Sequence, residues 1–196
     1  MTIRTFAARL LLAATLALCS ASIASAQVPP GTRFGAPVIP PGVTVLRGVA
    51  YGTHPAERFD VYLPANPRGA PVLFMVHGGG WRHGDKAHAN VVENKVAHWV
   101  PRGFILVSTN YPMLPEAMAI EQARAVARAV ATAQRQAAGW GGDPNRFILM
   151  GHSAGAHLVA LVNASPDLGP AAGALPWLGT VSLDSGRVIG VEALLR

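Results

Sequence analysis

The chain has very little cysteine, because Cys19 is the single thiol in 196 residues. Cys19 lies in an N-terminal segment with early arginines, an apolar stretch over residues 10–18 and a small-residue site at 24–26. This pattern is typical of a secretory signal peptide. We therefore expect residues 1–26 to be removed and the protein to be secreted or periplasmic. The mature chain would then have no thiol and no disulfide.

Long apolar runs are also missing. The stretch over residues 10–18 is too short to span a bilayer, so we expect no stable membrane insertion once the signal is removed. A lipid anchor on Cys19 is the disfavoured alternative, because Leu18 is larger than the residue that normally precedes a lipidated cysteine.

Charged residues are scarce, at 13% of the chain, and the net charge is +6. The positive excess is spread along the sequence, with no basic run and no interleaved aromatics, so we expect no nucleic-acid partner. The hydrophobic content of 51% favours a buried sheet covered by helices.

No metal or other cofactor is expected. The three histidines His77, His83 and His88 are six and five residues apart across a glycine-rich segment. This spacing fits no usual zinc-ligand pattern, and no pair of carboxylates supports it.

Apolar runs and periodic patterns predict an α/β fold in a domain over residues 43–196, after a proline-rich extended lead-in over residues 27–42. The predicted strands are 43–48, 58–63, 72–76, 104–107, a central strand at 147–150, and 179–183. The predicted helices are 91–100, a long one that opens at Pro115 and Glu116, and 154–163. Strands that alternate with helices indicate a mostly parallel sheet with helices on both faces.

The central strand runs directly into Gly151-His-Ser-Ala-Gly155, and a small-residue helical pattern follows. Strand, one-residue turn and helix in this order are typical of a nucleophile elbow, with Ser153 on the bend. A side chain at Gly151 or Gly155 is expected to collide with a neighbouring element. The alternative is an ordinary glycine-rich turn.

A second glycine-rich segment, 77–81, has the sequence His-Gly-Gly-Gly-Trp and follows the predicted strand 72–76. Three glycines let the backbone approach a substrate closely and point N–H groups at a developing oxyanion. The alternative is a flexible turn.

The carboxyl ends of parallel strands meet at one edge of a sheet. Segment 77–81, Asn110, Ser153 and Asp184 all follow predicted strands, so we expect them to share one mouth. Asp143 precedes its strand and is expected to be a turn residue at the opposite edge.

Together, the two motifs resemble the α/β-hydrolase fold, in particular the esterase and lipase branch with an HGGG-type oxyanion loop. Carboxylesterases, arylformamidases and feruloyl-type esterases are similar, and the resemblance covers about residues 43–186. It implies a serine hydrolase that cleaves small-molecule carboxylic esters through an acyl-enzyme intermediate. It further implies the following roles: Ser153 as the nucleophile, Gly79, Gly80 and Ala154 as oxyanion donors, and His77, Gly78 and Trp81 as supports of the oxyanion loop. The alternative role for Trp81 is to line the acyl or alcohol pocket.

One part of the family pattern is missing. The family order is serine, acid and then histidine, but no histidine follows His157. His157 itself is expected to pack in the core, and His152 is expected to point to the other side of the elbow from Ser153. Asp184 is the one late acid at the correct edge of the sheet, which makes it a candidate for the catalytic acid. The favoured alternative is a structural aspartate that closes its strand.

We therefore expect a C-terminally truncated hydrolase that lacks its last strand–helix units and its catalytic histidine. The alternative function is a non-catalytic scaffold or binding protein, or an inactive fragment, on the same fold.

Overall fold

The structure is a computed structural model, and it describes residues 35–184. The predicted signal peptide at 1–26 and the start of the predicted lead-in lie outside the described residues, as do residues 185–196. Residues 35–42 contain no helix or strand.

Within residues 35–184, six strands form one sheet: β1 Thr44–Ala50, β2 Arg58–Leu63, β3 Ala70–Val76, β4 Ile105–Thr109, β5 Gly142–His152 and β6 Gly179–Leu183. Their order across the sheet is β1-β2-β4-β3-β5-β6. Strand β2 is antiparallel to both β1 and β4, whereas β4, β3, β5 and β6 are parallel to one another. Only β2 is therefore reversed, and the prediction of an α/β fold with a mostly parallel sheet is confirmed.

The helices are α1 Ala89–Trp99, α2 Ala119–Ala137, α3 Ala154–Ala164 and the short α4 Leu168–Ala171. Single 3₁₀ turns follow α1 at Val100–Arg102 and α2 at Ala138–Trp140.

Helices cover both faces of the sheet because successive strand residues point to opposite sides. On one face, Phe59, Phe74 and Leu149 lie in a core cluster with apolar residues of α2 and α3. On the other face, Tyr62 and Leu106 pack with apolar residues of α1.

The long helix begins later than its sequence pattern predicts. Met118, the residue before α2, is extended with ψ 165°. Before it, the N–H groups of Glu116 and Ala117 both donate to the carbonyl of Met113. Proline fits the early positions of such a turn as well as the first position of a helix, so Pro115 did not mark the helix start.

Asp143 also departs from its prediction, because it lies inside β5 rather than before it. The strand already begins at Gly142, which pairs with Ala70 of β3. The Asp143 carboxylate accepts a hydrogen bond from the N–H of Asn145 (2.9 Å), a local side-chain turn within the first residues of the strand. It remains at the end of β5 that is remote from Ser153.

Within residues 35–184, no helix is both long enough and apolar enough to cross a membrane.

Candidate active site

Ser153 is the single residue between the end of β5 and the start of α3. Its backbone has φ 52° and ψ −118°, a conformation that non-glycine residues rarely adopt. The Ser153 N–H donates to the carbonyl of Leu183 (2.9 Å), and its own carbonyl accepts from the N–H of His157 (3.1 Å). These bonds hold the strained turn at the carboxyl edge of the sheet, where the sequence places a nucleophile elbow.

The two glycines that flank the elbow are required by close packing. A β-carbon at Gly151 would overlap the carbonyl of Gly155. A β-carbon at Gly155 would overlap the carbonyl oxygens of Val76 and His77. The collisions expected from the sequence are therefore present, and the first turn of α3 lies directly on the end of β3.

The triple-glycine loop, residues 78–80, packs against this elbow. A β-carbon at Gly78 would lie 2.6 Å from the carbonyl oxygen of His152 and 3.0 Å from Cβ of Ser153. Gly79 and Gly80 have φ values of 122° and 59°, in the region that favours glycine. The structure thus brings the two sequence motifs together at one edge of the sheet.

Three backbone N–H groups at this edge have no acceptor among residues 35–184: those of Gly79, Gly80 and Ala154. Ala154 is the first residue of α3, so its N–H lies at the partially positive end of the helix dipole. Unpaired N–H groups beside a serine hydroxyl can stabilise negative charge on a tetrahedral intermediate.

His77 contacts the triple-glycine loop from the buried side. Its side chain is fully buried, and its ring stacks on Tyr111 with a centroid distance of 4.6 Å. Nδ1 is 2.8 Å from the carbonyl oxygen of Gly78, and the Tyr111 hydroxyl donates to the carbonyl of His77 (2.9 Å). Burial lowers the pKa of His77 and outweighs the opposing hydrogen bond to Gly78, so the ring is neutral at pH 7. A neutral ring with its proton on Nδ1 donates to Gly78.

Trp81 ends the loop with φ 60°. Its carbonyl accepts hydrogen bonds from the N–H of Leu114 (2.9 Å) and from Nε2 of the buried Gln122 (3.1 Å). Its indole ring packs edge-to-face on His157 at 5.6 Å. His157 is buried, as the sequence predicts.

His152 is the last residue of β5 and directly precedes Ser153. A β-carbon at Gly78 would lie 3.3 Å from Nδ1 of His152, so this ring borders the same glycine as Ser153. Its Nε2 is 3.7 Å from Oδ2 of Asp184, whose side chain is 86% exposed.

Asn110 follows β4 at the carboxyl edge of the sheet, and it contacts a residue that the sequence did not single out. Nδ2 of Asn110 donates to Oδ2 of Asp85 (2.8 Å), and its Oδ1 accepts from the N–H of Lys86 (2.6 Å). Hydrogen bonds from Asn110 and Ala87 outweigh burial and lower the pKa of Asp85, which is therefore ionised. The available signal was the position of Asn110 after β4, but nothing in the sequence indicated its partner.

The family described as BD-FAE matches residues 59–169, which is more than half of the chain and includes both the triple-glycine loop and the elbow. The chain belongs to the BD-FAE family.

Curated relatives of this BD-FAE chain are named esterases. A probable isoprenylcysteine alpha-carbonyl methylesterase from Oryza sativa subsp. japonica is 35% identical over 117 residues, which cover 59% of this chain and 28% of that protein. Esterase LipC from Mycobacterium tuberculosis is 33% identical over 150 residues, or 74% of this chain and 36% of LipC. By family, the chain groups with carboxylic ester hydrolases.

A solved structure shows the fold of this BD-FAE chain. Esterase B from Lactobacillus rhamnosis superposes with a TM-score of 0.59 at 24% identity, over 76% of this chain and 47% of that one. The fold is that of the α/β-hydrolases. The BD-FAE chain thus spans about a third of the curated relatives and just under half of the solved structure.

Proposed function

We propose that this chain carries the nucleophile and the oxyanion hole of a serine hydrolase that cleaves small-molecule carboxylic esters. In this proposal, Oγ of Ser153 attacks the ester carbonyl, the alcohol leaves, and water then hydrolyses the acyl-enzyme. The observation that supports it best is the strained serine between β5 and α3, in contact with the triple-glycine loop.

The N–H groups of Gly79, Gly80 and Ala154 receive the oxyanion in this proposal. Removal of one such donor from an enzyme costs about 3 kcal/mol of transition-state stabilisation. In this proposal His77, Gly78 and Trp81 keep Gly79 and Gly80 in position, and this role does not require any of the three to contact the substrate.

The general base is the open part of this reaction. Within residues 35–184, neither His77 nor His152 forms a hydrogen bond with the Ser153 hydroxyl: Nδ1 of His77 contacts the carbonyl of Gly78, and Nε2 of His152 lies 3.7 Å from Oδ2 of Asp184. His77 and His157 are buried, and Nε2 of His152 faces Asp184. A serine without an adjacent base is a weak nucleophile.

That observation favours a second candidate function, a non-catalytic binding protein or inactive fragment on the hydrolase fold. It would hold an ester at the same mouth without cleaving it. Asp184 remains a candidate for the catalytic acid. The observation that supports it is its position directly after β6, at this edge of the sheet.

Hydrolysis of p-nitrophenyl acetate and labelling by a fluorophosphonate distinguish the two functions. Ser153→Ala should abolish both, whereas Ser165→Ala, a matched change at the far end of α3, should leave both unchanged. Labelling of the wild-type chain that persists in Ser153→Ala would reject the serine mechanism. A wild-type chain that binds p-nitrophenyl acetate but is neither labelled nor active would establish the binding protein.

We further propose that the protein is exported to the periplasm or beyond, with residues 1–26 removed. The mass of the protein recovered from a periplasmic extract tests this. Recovery of the uncleaved chain in the cytoplasmic fraction alone would contradict it.

A further inference from the structure

The segment after the triple-glycine loop folds back over it. We call residues 83–87 the return segment. A β-carbon at Gly79 would overlap the carbonyl of His83, and one at Gly84 would overlap Nδ1 of His77. The N–H groups of Arg82 and His83 both donate to the carbonyl of Gly79 (3.2 and 3.0 Å). Gly78 and Gly79 therefore lie between the elbow on one side and the return segment on the other, whereas Gly80 is exposed.

The return segment is tied to the end of β4 by a reciprocal pair of side chains. Asp85 accepts from Nδ2 of Asn110 with Oδ2 (2.8 Å) and from the N–H of Ala87 with Oδ1 (2.7 Å). Asn110 accepts from the N–H of Lys86 (2.6 Å). The side chains of Asp85 and Asn110 are thus hydrogen-bonded to each other, and each also accepts a hydrogen bond from one backbone N–H of the return segment.

Lys86 adds two further attachments to the sheet. Its carbonyl accepts from the hydroxyl of the buried Ser108 (2.8 Å). Its Nζ is 3.1 Å from Oδ1 of Asp60, a fully buried carboxylate of β2. The position of residue 86 is therefore set by two neighbouring strands.

We propose that Asp85 and Asn110 are positioning residues that hold the N–H groups of the triple-glycine loop where an oxyanion forms. This inference rests on the function proposed for Ser153. Three consecutive glycines have the most flexible backbone of any residues, so the rigidity of this loop has to come from its neighbours. Oxyanion stabilisation depends on donors that are already in place, and a displacement of about 1 Å can cost about 100-fold in rate.

An exchange of the two side chains tests the proposal. In Asp85→Asn, one amide oxygen has to serve both the N–H of Ala87 and Nδ2 of Asn110, so one hydrogen bond is lost. In Asn110→Asp, the carboxylates of residues 85 and 110 face each other where the wild-type side chains form a hydrogen bond, so they repel each other. The double variant Asp85→Asn/Asn110→Asp restores every hydrogen bond with unchanged net charge, because the donor is then at position 85.

The limiting rate of fluorophosphonate labelling of Ser153 is the first readout. We expect it to fall by about 10- to 100-fold in Asn110→Asp and by less in Asp85→Asn, and to recover to within about threefold in the double variant. The reagent concentration at half-saturation should change little, because the loop acts on the transition state. The matched control Asp143→Asn, at the opposite edge of the sheet, should label like the wild-type chain.

Hydrogen exchange of the amides of Arg82, His83, Lys86 and Ala87 is the second readout. In both single variants we expect these amides to exchange faster, while the melting temperature of the domain stays unchanged. In the double variant we expect these amides to be protected as in the wild-type chain. Single variants that label at the wild-type rate, or a double variant that recovers neither readout, would overturn the proposal.

The two proposals fail in different ways. A wild-type chain that is never labelled rejects the function of Ser153, and the exchange pattern then decides whether the Asp85–Asn110 pair holds the loop.

Discussion

Gly78 and Ser153 are in direct contact: a β-carbon added to Gly78 would lie 3.0 Å from Cβ of Ser153. The same added carbon would be 2.6 Å from the backbone oxygen of His152, a distance that real β-carbons do not show. The absence of a side chain at position 78 is therefore what lets the triple-glycine loop reach the elbow.

Gly78→Ala tests this contact. The backbone of His152 belongs to β5 and cannot yield easily, so the loop has to move away from Ser153. We expect fluorophosphonate labelling to fall by about 10²-fold, comparable to the loss of one oxyanion donor. Gly139→Ala is the control, because an added β-carbon there meets nothing within 4 Å. Equal labelling of the two variants would show that the contact is not needed.

Arg128→Ala should destabilise the domain much more than Arg124→Ala, although both arginines lie on α2. Arg128 binds Glu57, whose side chain is 7% exposed, whereas Arg124 pairs with the exposed Glu121. Loss of the partner of a buried carboxylate costs about 1–3 kcal/mol, and loss of a surface ion pair costs about 0–1 kcal/mol. Urea unfolding of both variants measures this, and equal losses would contradict the assigned difference in burial.

The low pKa of His77 predicts a pH dependence of stability. Burial lowers the folded-state pKa below the value of 6.5 expected in the unfolded chain. The unfolded state therefore binds more protons as the pH falls below about 6.5, and stability decreases in that direction. The contribution is fully present above the unfolded pKa.

Urea midpoints at about pH 8 and about pH 5 measure this effect. The wild-type chain should lose more stability between them than His77→Gln, which has no imidazole to protonate at that site. An unchanged slope in His77→Gln would assign the pH dependence to other groups.

Some elements were predictable to the residue. Strands β2 and β6 have the predicted bounds 58–63 and 179–183. Strong β patterns between turn residues define such strands locally. The start of α2 was predicted about four residues too early, because Pro115 is compatible with both a turn and a helix start.

The parts of the site that lie at the ends of strands could be predicted from the sequence. The parts that depend on which strands are neighbours in the sheet could not. The meeting of the triple-glycine loop with Ser153 follows from two parallel strands that end at one edge. The Asp85–Asn110 pair depends on β4 lying beside β3, which pairing across the sheet decides.

The amino-acid sequence by itself determined the α/β class, the two glycine motifs and the serine on the bend, because these follow from apolar periodicity and from backbone freedom at glycine. Only the tertiary structure decided which residues enclose the triple-glycine loop: His77 and Tyr111 below it, the elbow beside it, and the Asp85–Asn110 pair behind it. These contacts join residues that are far apart in the chain, and local patterns carry no information about such distances.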